Sequence, residues 1–174
     1  MQLPYSDDTV LLDSFTRFIA AALNTDNSAI VFVTKSHQDS LLLRLKAEGV
    51  DTDGALQQGS YVPLDAADAL AKVMVDGRPD PVRYFGGIGG LIEAAAKAAI
   101  SEQPRVVVCG EGVALLHAEG KADAAIRIER GCDDLAKTCE VDILCAYPLS
   151  SFHGQEDEHD FQSIRPEHSA VYSE

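Results

Sequence analysis

Short runs of β-branched and aliphatic residues alternate with longer amphipathic stretches along this chain, and that order limits the folds it can adopt. The apolar runs that we interpret as strands are residues 28–35, 60–64, 104–112 and 141–152. Parallel neighbours in a sheet need a crossover connection, which a helix between two strands supplies. The alternation therefore predicts an α/β fold, a three-layer sandwich with a mostly parallel central sheet between helices.

The amphipathic stretches predict the helices of this sandwich. We place them at residues 8–23, 37–49, 82–100, 121–138 and about 156–164, with one more directly after Asp65. In the first of them apolar side chains recur three and four residues apart, which lines one face of a helix. Asp7 or Asp8 is expected to cap this helix. Ser36 and Asp65 are expected to cap the two that follow.

The length and the net charge of the chain limit the classes of function that it can have. The chain has 174 residues, which suits one domain over residues 1–174. Its 28 acidic and 14 basic residues give a net charge of −14, which disfavours direct binding to nucleic acid and to anionic membranes. The longest apolar runs are far shorter than the ~20 residues of a membrane span, and no secretory signal is visible. We expect a cytoplasmic location.

Cysteine and histidine patterns give no support for a metal site or a nucleophile. Cys109, Cys132, Cys139 and Cys145 form no C-x-x-C pair, so reduced thiols are the favoured interpretation. Histidines and acids in the segment 153–168 match no known ligand spacing, and we interpret that segment as a solvated surface. We predict no catalytic residue, no metal and no cofactor.

A cluster of glycines raises the question of phosphate binding. Gly86, Gly87, Gly89 and Gly90 precede a helical pattern but miss the dinucleotide-binding spacing, and no strand comes before them. The only Gly-Lys pair, at residues 120–121, lacks the first glycine and the hydroxyl of a P-loop. Because the apolar stripe continues across the glycines, we interpret them as a site of close packing or a looser helix half.

The best guide to a binding site is the rule that ligands of open parallel sheets lie beyond the carboxyl ends of the strands. The side chains that this rule selects are Lys35, His37, Asp65, Glu111 and Tyr147. Simpler interpretations exist for two of them, since Asp65 is a good helix cap and Lys35 an ordinary surface lysine. Glu111 is notable because glycines flank it at a strand-to-helix turn.

Several stretches together resemble one family. They are YSDD (5–8), FIAAAL (18–23), AIVFVTKSHQDSLLLRLKAEGVD (29–51), GSYVPLDAADAL (59–70), GEGVALLHAEGKADAAIRIE (110–129), VDILCAYPL (141–149) and EHSAVYS (167–173). In these the chain resembles the MEDS domain, the DcmR-type sensory domain of bacterial and archaeal regulators and histidine kinases. The resemblance implies a degenerate RecA/KaiC-like fold without a working P-loop, and the sensing of small organic, hydrocarbon-like compounds.

Three hypotheses follow for the function. The first is a non-catalytic sensory domain that binds a small organic ligand and signals to a histidine kinase or regulator. The second is a residual nucleotide-binding or hydrolytic enzyme with Glu111 as base or metal ligand. The third is an interaction module, since RecA-like domains tend to form homo-oligomers and an acidic face can dock a basic partner.

Overall fold

The structure is a computed structural model that describes residues 1–148 of the chain. In chain order its elements are β1 (Gln2–Tyr5), α1 (Asp8–Leu23), β2 (Ser28–Val33), α2 (Lys35–Ala47), α3 (Thr52–Gln58), β3 (Tyr61–Asp65), α4 (Ala66–Val73), β4 (Met74–Val75), β5 (Arg78–Pro79), α5 (Pro81–Ala98), β6 (Val106–Gly110), α6 (Gly112–Ala118), α7 (Ala122–Thr138) and β7 (Val141–Pro148). The predicted helix at 156–164 lies outside the described residues.

The central sheet has five strands in the order β1-β7-β6-β2-β3. Every neighbouring pair in it is parallel. The only antiparallel pairing among residues 1–148 is the short β4–β5 hairpin, which lies outside this sheet. The predicted α/β sandwich with a mostly parallel sheet is therefore confirmed, and all five strands end at the same edge.

The edge strand β1 was not predicted from the sequence. It is only four residues long and contains Pro4, which is tolerated because an edge strand pairs on one side only. It pairs with β7 in the register Gln2↔Cys145. The amino group of Met1 also donates to the Ile143 carbonyl of β7 at 2.7 Å. A strand this short carries too little hydrophobic pattern to be recognised.

Two apolar cores lie on opposite faces of the sheet. Side chains alternate along each strand, so Ala29, Val31 and Val33 of β2 belong to the first core and Ile30 to the second. The first core is closed by α1, α2 and α3, whose buried side chains include Phe15 of α1. The second core is closed by α4, α5, α6 and α7. These two helical layers and the sheet make the sandwich.

Helix caps agree with the sequence at two positions and disagree at one. The Asp7 carboxylate accepts hydrogen bonds from the backbone N–H groups that open α1, and Asp65 does the same for α4. Ser36 is not a cap, because α2 already begins at Lys35 and its N-cap is Thr34. The helix starts directly where β2 ends, which leaves no room for a separate capping turn.

The glycine cluster does not mediate close packing, so that interpretation was wrong. Its glycines lie inside α5, and a Cβ built at any of the four finds no atom within 4 Å among the described residues. Close approach occurs at Gly131 of α7, where a Cβ would lie 2.5 Å from Cε1 of Tyr84. The four glycines instead leave the first half of α5 thinly packed.

None of the helices within residues 1–148 combines the length and the apolar character that crossing a membrane requires.

Candidate functional site

Glu111 ties together two neighbouring strand ends at the carboxyl edge of the sheet. It follows β6, is 3% exposed, and its backbone N–H donates to the Phe32 carbonyl of β2 at 3.0 Å. One side-chain oxygen accepts from the Thr34 N–H at 2.5 Å, and the other accepts from Nδ1 of His37 at 2.9 Å. The carboxylate therefore fixes the junction between β2 and α2.

His37 extends this contact towards a third element. Its Nε2 lies 3.5 Å from an Asp8 carboxylate oxygen in the first turn of α1, so the imidazole stands between two acids. Tyr5, at the end of β1, lies close enough that burial and the charges of Glu111 and Asp8 raise its pKa to about 12. We call Tyr5, Asp8, His37 and Glu111 the edge cluster.

The edge cluster is suited to holding elements in place and to ordering one imidazole. Both oxygens of Glu111 already have protein partners, so neither is presented to a ligand. Within the described part of the chain, no group of three or more His, Cys, Asp or Glu side chains is arranged to hold a metal ion. The arrangement is a fixed hydrogen-bonding network that joins the end of β6 to α1 and α2 at this edge.

The remaining predicted site residues do not join this cluster. The Lys35 ammonium lies 2.5 Å from Asp39, and both side chains are mostly exposed. Asp65 caps α4 through a hydrogen bond from the Asp68 N–H. Tyr147 is fully buried in the second core. Of the five predicted side chains, the structure brings only His37 and Glu111 into contact with each other.

A cavity of about 630 Å³ lies between the sheet and helices α4, α5, α6 and α7. Its wall is mostly apolar: Phe32, Leu64, Leu70, Val73, Ile88, Leu91, Val108, Val113, Ile128, Leu135 and Ile143. Within residues 1–148 the charged lining residues are exposed or half-buried, and they comprise two acids, Asp65 and Asp68, and two cations, Lys72 and Arg83. This cavity reaches the carboxyl edge of the sheet at Asp65 and Gly110.

Part of the cavity wall is formed by a thiol pair beside a tyrosine. The Cys145 Sγ lies 3.9 Å from the Cys132 Sγ, and the Cys132 Sγ lies 3.2 Å from the Tyr84 hydroxyl. All three residues line the cavity. Behind them lies Glu129, which is fully buried, and burial together with the nearby Cys132 raises its pKa well above the ordinary value.

Sequence reasoning missed the cavity because its residues lie on eight elements that the chain order separates. One signal was present: Ile128, Cys132 and Leu135 recur at helical spacing on α7, and Ile143 and Cys145 alternate on β7. Both patterns show that the two cysteines face the same core. Neither pattern shows that this core is incompletely filled.

A family model described as MEDS, the MEthanogen/methylotroph, DcmR Sensory domain, matches residues 2–159. The matched range includes every helix and strand described above. A search of curated proteins finds no match.

Proposed function

The chain belongs to the MEDS sensory-domain family, and we propose that it is a non-catalytic sensor whose ligand is a small, largely apolar organic molecule. The observation that carries this proposal is the cavity of about 630 Å³ in the second core. Its volume falls within the roughly 300–1,000 Å³ that is usual for small-molecule sites. In this proposal the ligand-binding site is the interior of the sandwich, and the edge cluster supports it from outside.

The lining selects the chemistry of the ligand. Burying apolar surface stabilises a complex by roughly 25 cal/mol per Å², and an apolar wall offers this to a hydrocarbon-like molecule. A triphosphate would need several donors or cations, since an unpaired buried charge is costly. Among the lining residues that the structure describes, only Lys72 and Arg83 are cationic, and Asp65 and Asp68 offset them. A neutral organic molecule therefore fits better than a nucleotide.

Helix α5 offers a route from ligand to signal. Tyr84, Ile88 and Leu91 of this helix line the cavity. Glycine in a helix interior costs about 1 kcal/mol relative to alanine, so four of them leave this wall easily deformed. A ligand that binds two positions of α5 unequally by ~1–3 kcal/mol is sufficient for signalling. The receiver we propose is a histidine kinase or regulator, which the family implies.

The test is a thermal-shift series with toluene, hexanol and cyclohexanol. At about 100 times its Kd a ligand adds ~2.7 kcal/mol of stability, which raises the Tm of a domain this size by roughly 5–10 °C. Ala69→Leu places extra volume at the cavity wall and is expected to reduce the shift. Ala67→Leu, on the exposed face of the same helix, is the matched control and is expected to retain it.

The same thermal-shift series can also contradict the proposal. A flat Tm with all three organic molecules, or an equal shift in Ala69→Leu and Ala67→Leu, would show that the cavity is not the site. ATP with Mg²⁺ forms a separate arm. A shift with ATP alone that Glu111→Gln removes would favour the nucleotide hypothesis instead.

A further inference from the structure

We propose that Cys132 and Cys145 are a modification site, a thiol pair that a small peroxide entering the cavity oxidises to an intramolecular disulfide. The two sulfur atoms lie 3.9 Å apart, one on α7 and the other on β7. A disulfide requires them to close to about 2.0 Å. The cavity beside them provides space in which helix and strand can adjust.

The surroundings give the two thiols different roles. Cys132 has the Tyr84 hydroxyl at 3.2 Å and the Cys145 thiol at 3.9 Å, and hydrogen bonds from both stabilise its thiolate. Both contacts lower the pKa of Cys132, and the contact with Cys145 contributes most. The pKa of Cys145 is raised, chiefly by that same contact and by burial. Cys132 is therefore the nucleophile, and Cys145 is the thiol that resolves the first product.

Polar groups around the pair suit an oxygenated intermediate. Gln2 is the register partner of Cys145 on β1, so both side chains lie on the same face of the sheet. It is fully buried, and neither its amide nitrogen nor its oxygen has a hydrogen-bond partner among the described residues. The fully buried Glu129 also lies near the pair, since the nearby Cys132 adds to the effect of burial in raising the pKa of its carboxyl. Such groups can bond a sulfenic hydroxyl that an apolar core would exclude.

The other cysteines lack this environment. Cys109 is fully buried on the first core, away from the cavity, and burial raises its pKa. Cys139 lies at the carboxyl end of α7 and is not among the cavity-lining residues. In the described part of the chain, only Cys132 and Cys145 place one thiol in contact with another.

The reaction is balanced with hydrogen peroxide as the oxidant. The Cys132 thiolate attacks one peroxide oxygen and the O–O bond breaks. Cys132 then carries a sulfenic acid, and the other oxygen leaves as water with the proton released by Cys132. The Cys145 sulfur next attacks the Cys132 sulfur, the S–O bond breaks, and the second water leaves with the Cys145 proton. The two sulfurs lose two electrons, and the peroxide gains them.

This site stands independently of the proposed sensor function, because oxidation needs no bound organic ligand. The experiment is therefore done without one: the full chain is treated with hydrogen peroxide, free thiols are alkylated, and peptides are analysed by mass spectrometry. We expect a Cys132–Cys145 cross-link with the loss of two hydrogen atoms, reversed by dithiothreitol. Cys132→Ser and Cys145→Ser are expected to abolish it, and Cys139→Ser to leave it unchanged.

Trapping the intermediate separates the two roles and covers variants that fold poorly. With dimedone present, Cys145→Ser is expected to accumulate an adduct on Cys132, whereas Cys132→Ser carries no adduct on Cys145. Circular dichroism and melting curves check that each variant is folded. Absence of the cross-link in the natural chain under peroxide that labels Cys139, or equal dimedone labelling of Cys132 with and without Cys145, would overturn the proposal.

Discussion

Glu111 shows how a single buried carboxylate can hold a sheet edge together. Both of its oxygens accept hydrogen bonds, one from the Thr34 N–H and one from His37. Sequence reasoning selected Glu111 and His37 because both follow strand ends that meet at one edge. It also selected Lys35 and Tyr147 by the same rule, but the rule gives the position of a residue and not the direction of its side chain.

Truncation of Glu111 tests this structural role. Glu111→Ala leaves the Thr34 N–H and the His37 imidazole without their acceptor, so we expect a loss of about 1–3 kcal/mol in the free energy of unfolding. Glu111→Gln keeps an oxygen for Thr34 and is expected to lose less. Urea unfolding measures both. Glu93→Ala, which removes an exposed pair with Lys97, is the control and is expected to change little. Equal stability of Glu111→Ala and Glu93→Ala would contradict the role.

Glu129 gives a prediction about pH. Burial, with a contribution from the Cys132 charge, raises its pKa well above the ordinary value of 4.5. At pH values between 4.5 and the raised pKa of the folded state, the folded chain keeps a proton that the unfolded chain has lost. The free energy of unfolding therefore falls as pH rises through that window, and it levels off above the folded pKa. Glu129→Gln removes this titration.

The comparison requires urea unfolding of the natural chain and Glu129→Gln at several pH values from about 5 to about 8. We expect the stability of the variant to decline less steeply with rising pH, so that its advantage over the natural chain grows towards pH 8. Parallel stability curves for the two proteins would show that Glu129 does not titrate in the expected direction.

The sequence of helix α5 is poorly suited to a stable helix. Its first half contains Gly86, Gly87, Gly89 and Gly90, yet within residues 1–148 no neighbour occupies the space that their missing side chains leave. Longer helices with a clear apolar face, such as α1, were predicted to within a residue or two. The short element α3 was missed, and the helix expected after the strand-to-helix turn at Glu111 was given no bounds, because seven residues carry too little periodicity to stand out.

Glycine-to-alanine substitutions distinguish the glycines of α5 from Gly131 of α7, which lies against the Tyr84 ring. Gly86→Ala and Gly90→Ala enter open space in a helix, so we expect each to add about 0.5–1 kcal/mol to the free energy of unfolding. Gly131→Ala forces its methyl group against the Tyr84 ring, and we expect it to cost about 1–3 kcal/mol. Thermal and urea unfolding provide the values. Destabilisation by both α5 substitutions would mean that this half of the helix is packed after all.

The whole molecule divides into two halves of different character on either side of one sheet. The first core is closed by α1, in which Leu11, Phe15 and Ile19 are completely buried. The second core contains the cavity and is bounded by the glycine-rich α5. The α/β order of the sequence predicted the layers and the parallel sheet. It could not predict the cavity, because the unfilled volume depends on how α4, α5, α6 and α7 pack together on the sheet.

The most direct test of the account is calorimetric titration of the chain with toluene at several temperatures. We predict saturable binding with a negative heat-capacity change, since apolar surface is buried in the cavity, and clear weakening in Ala69→Leu but not in Ala67→Leu. The absence of saturable heat up to the solubility limit of toluene, or identical binding by both variants, would contradict the claim that the second core holds the ligand.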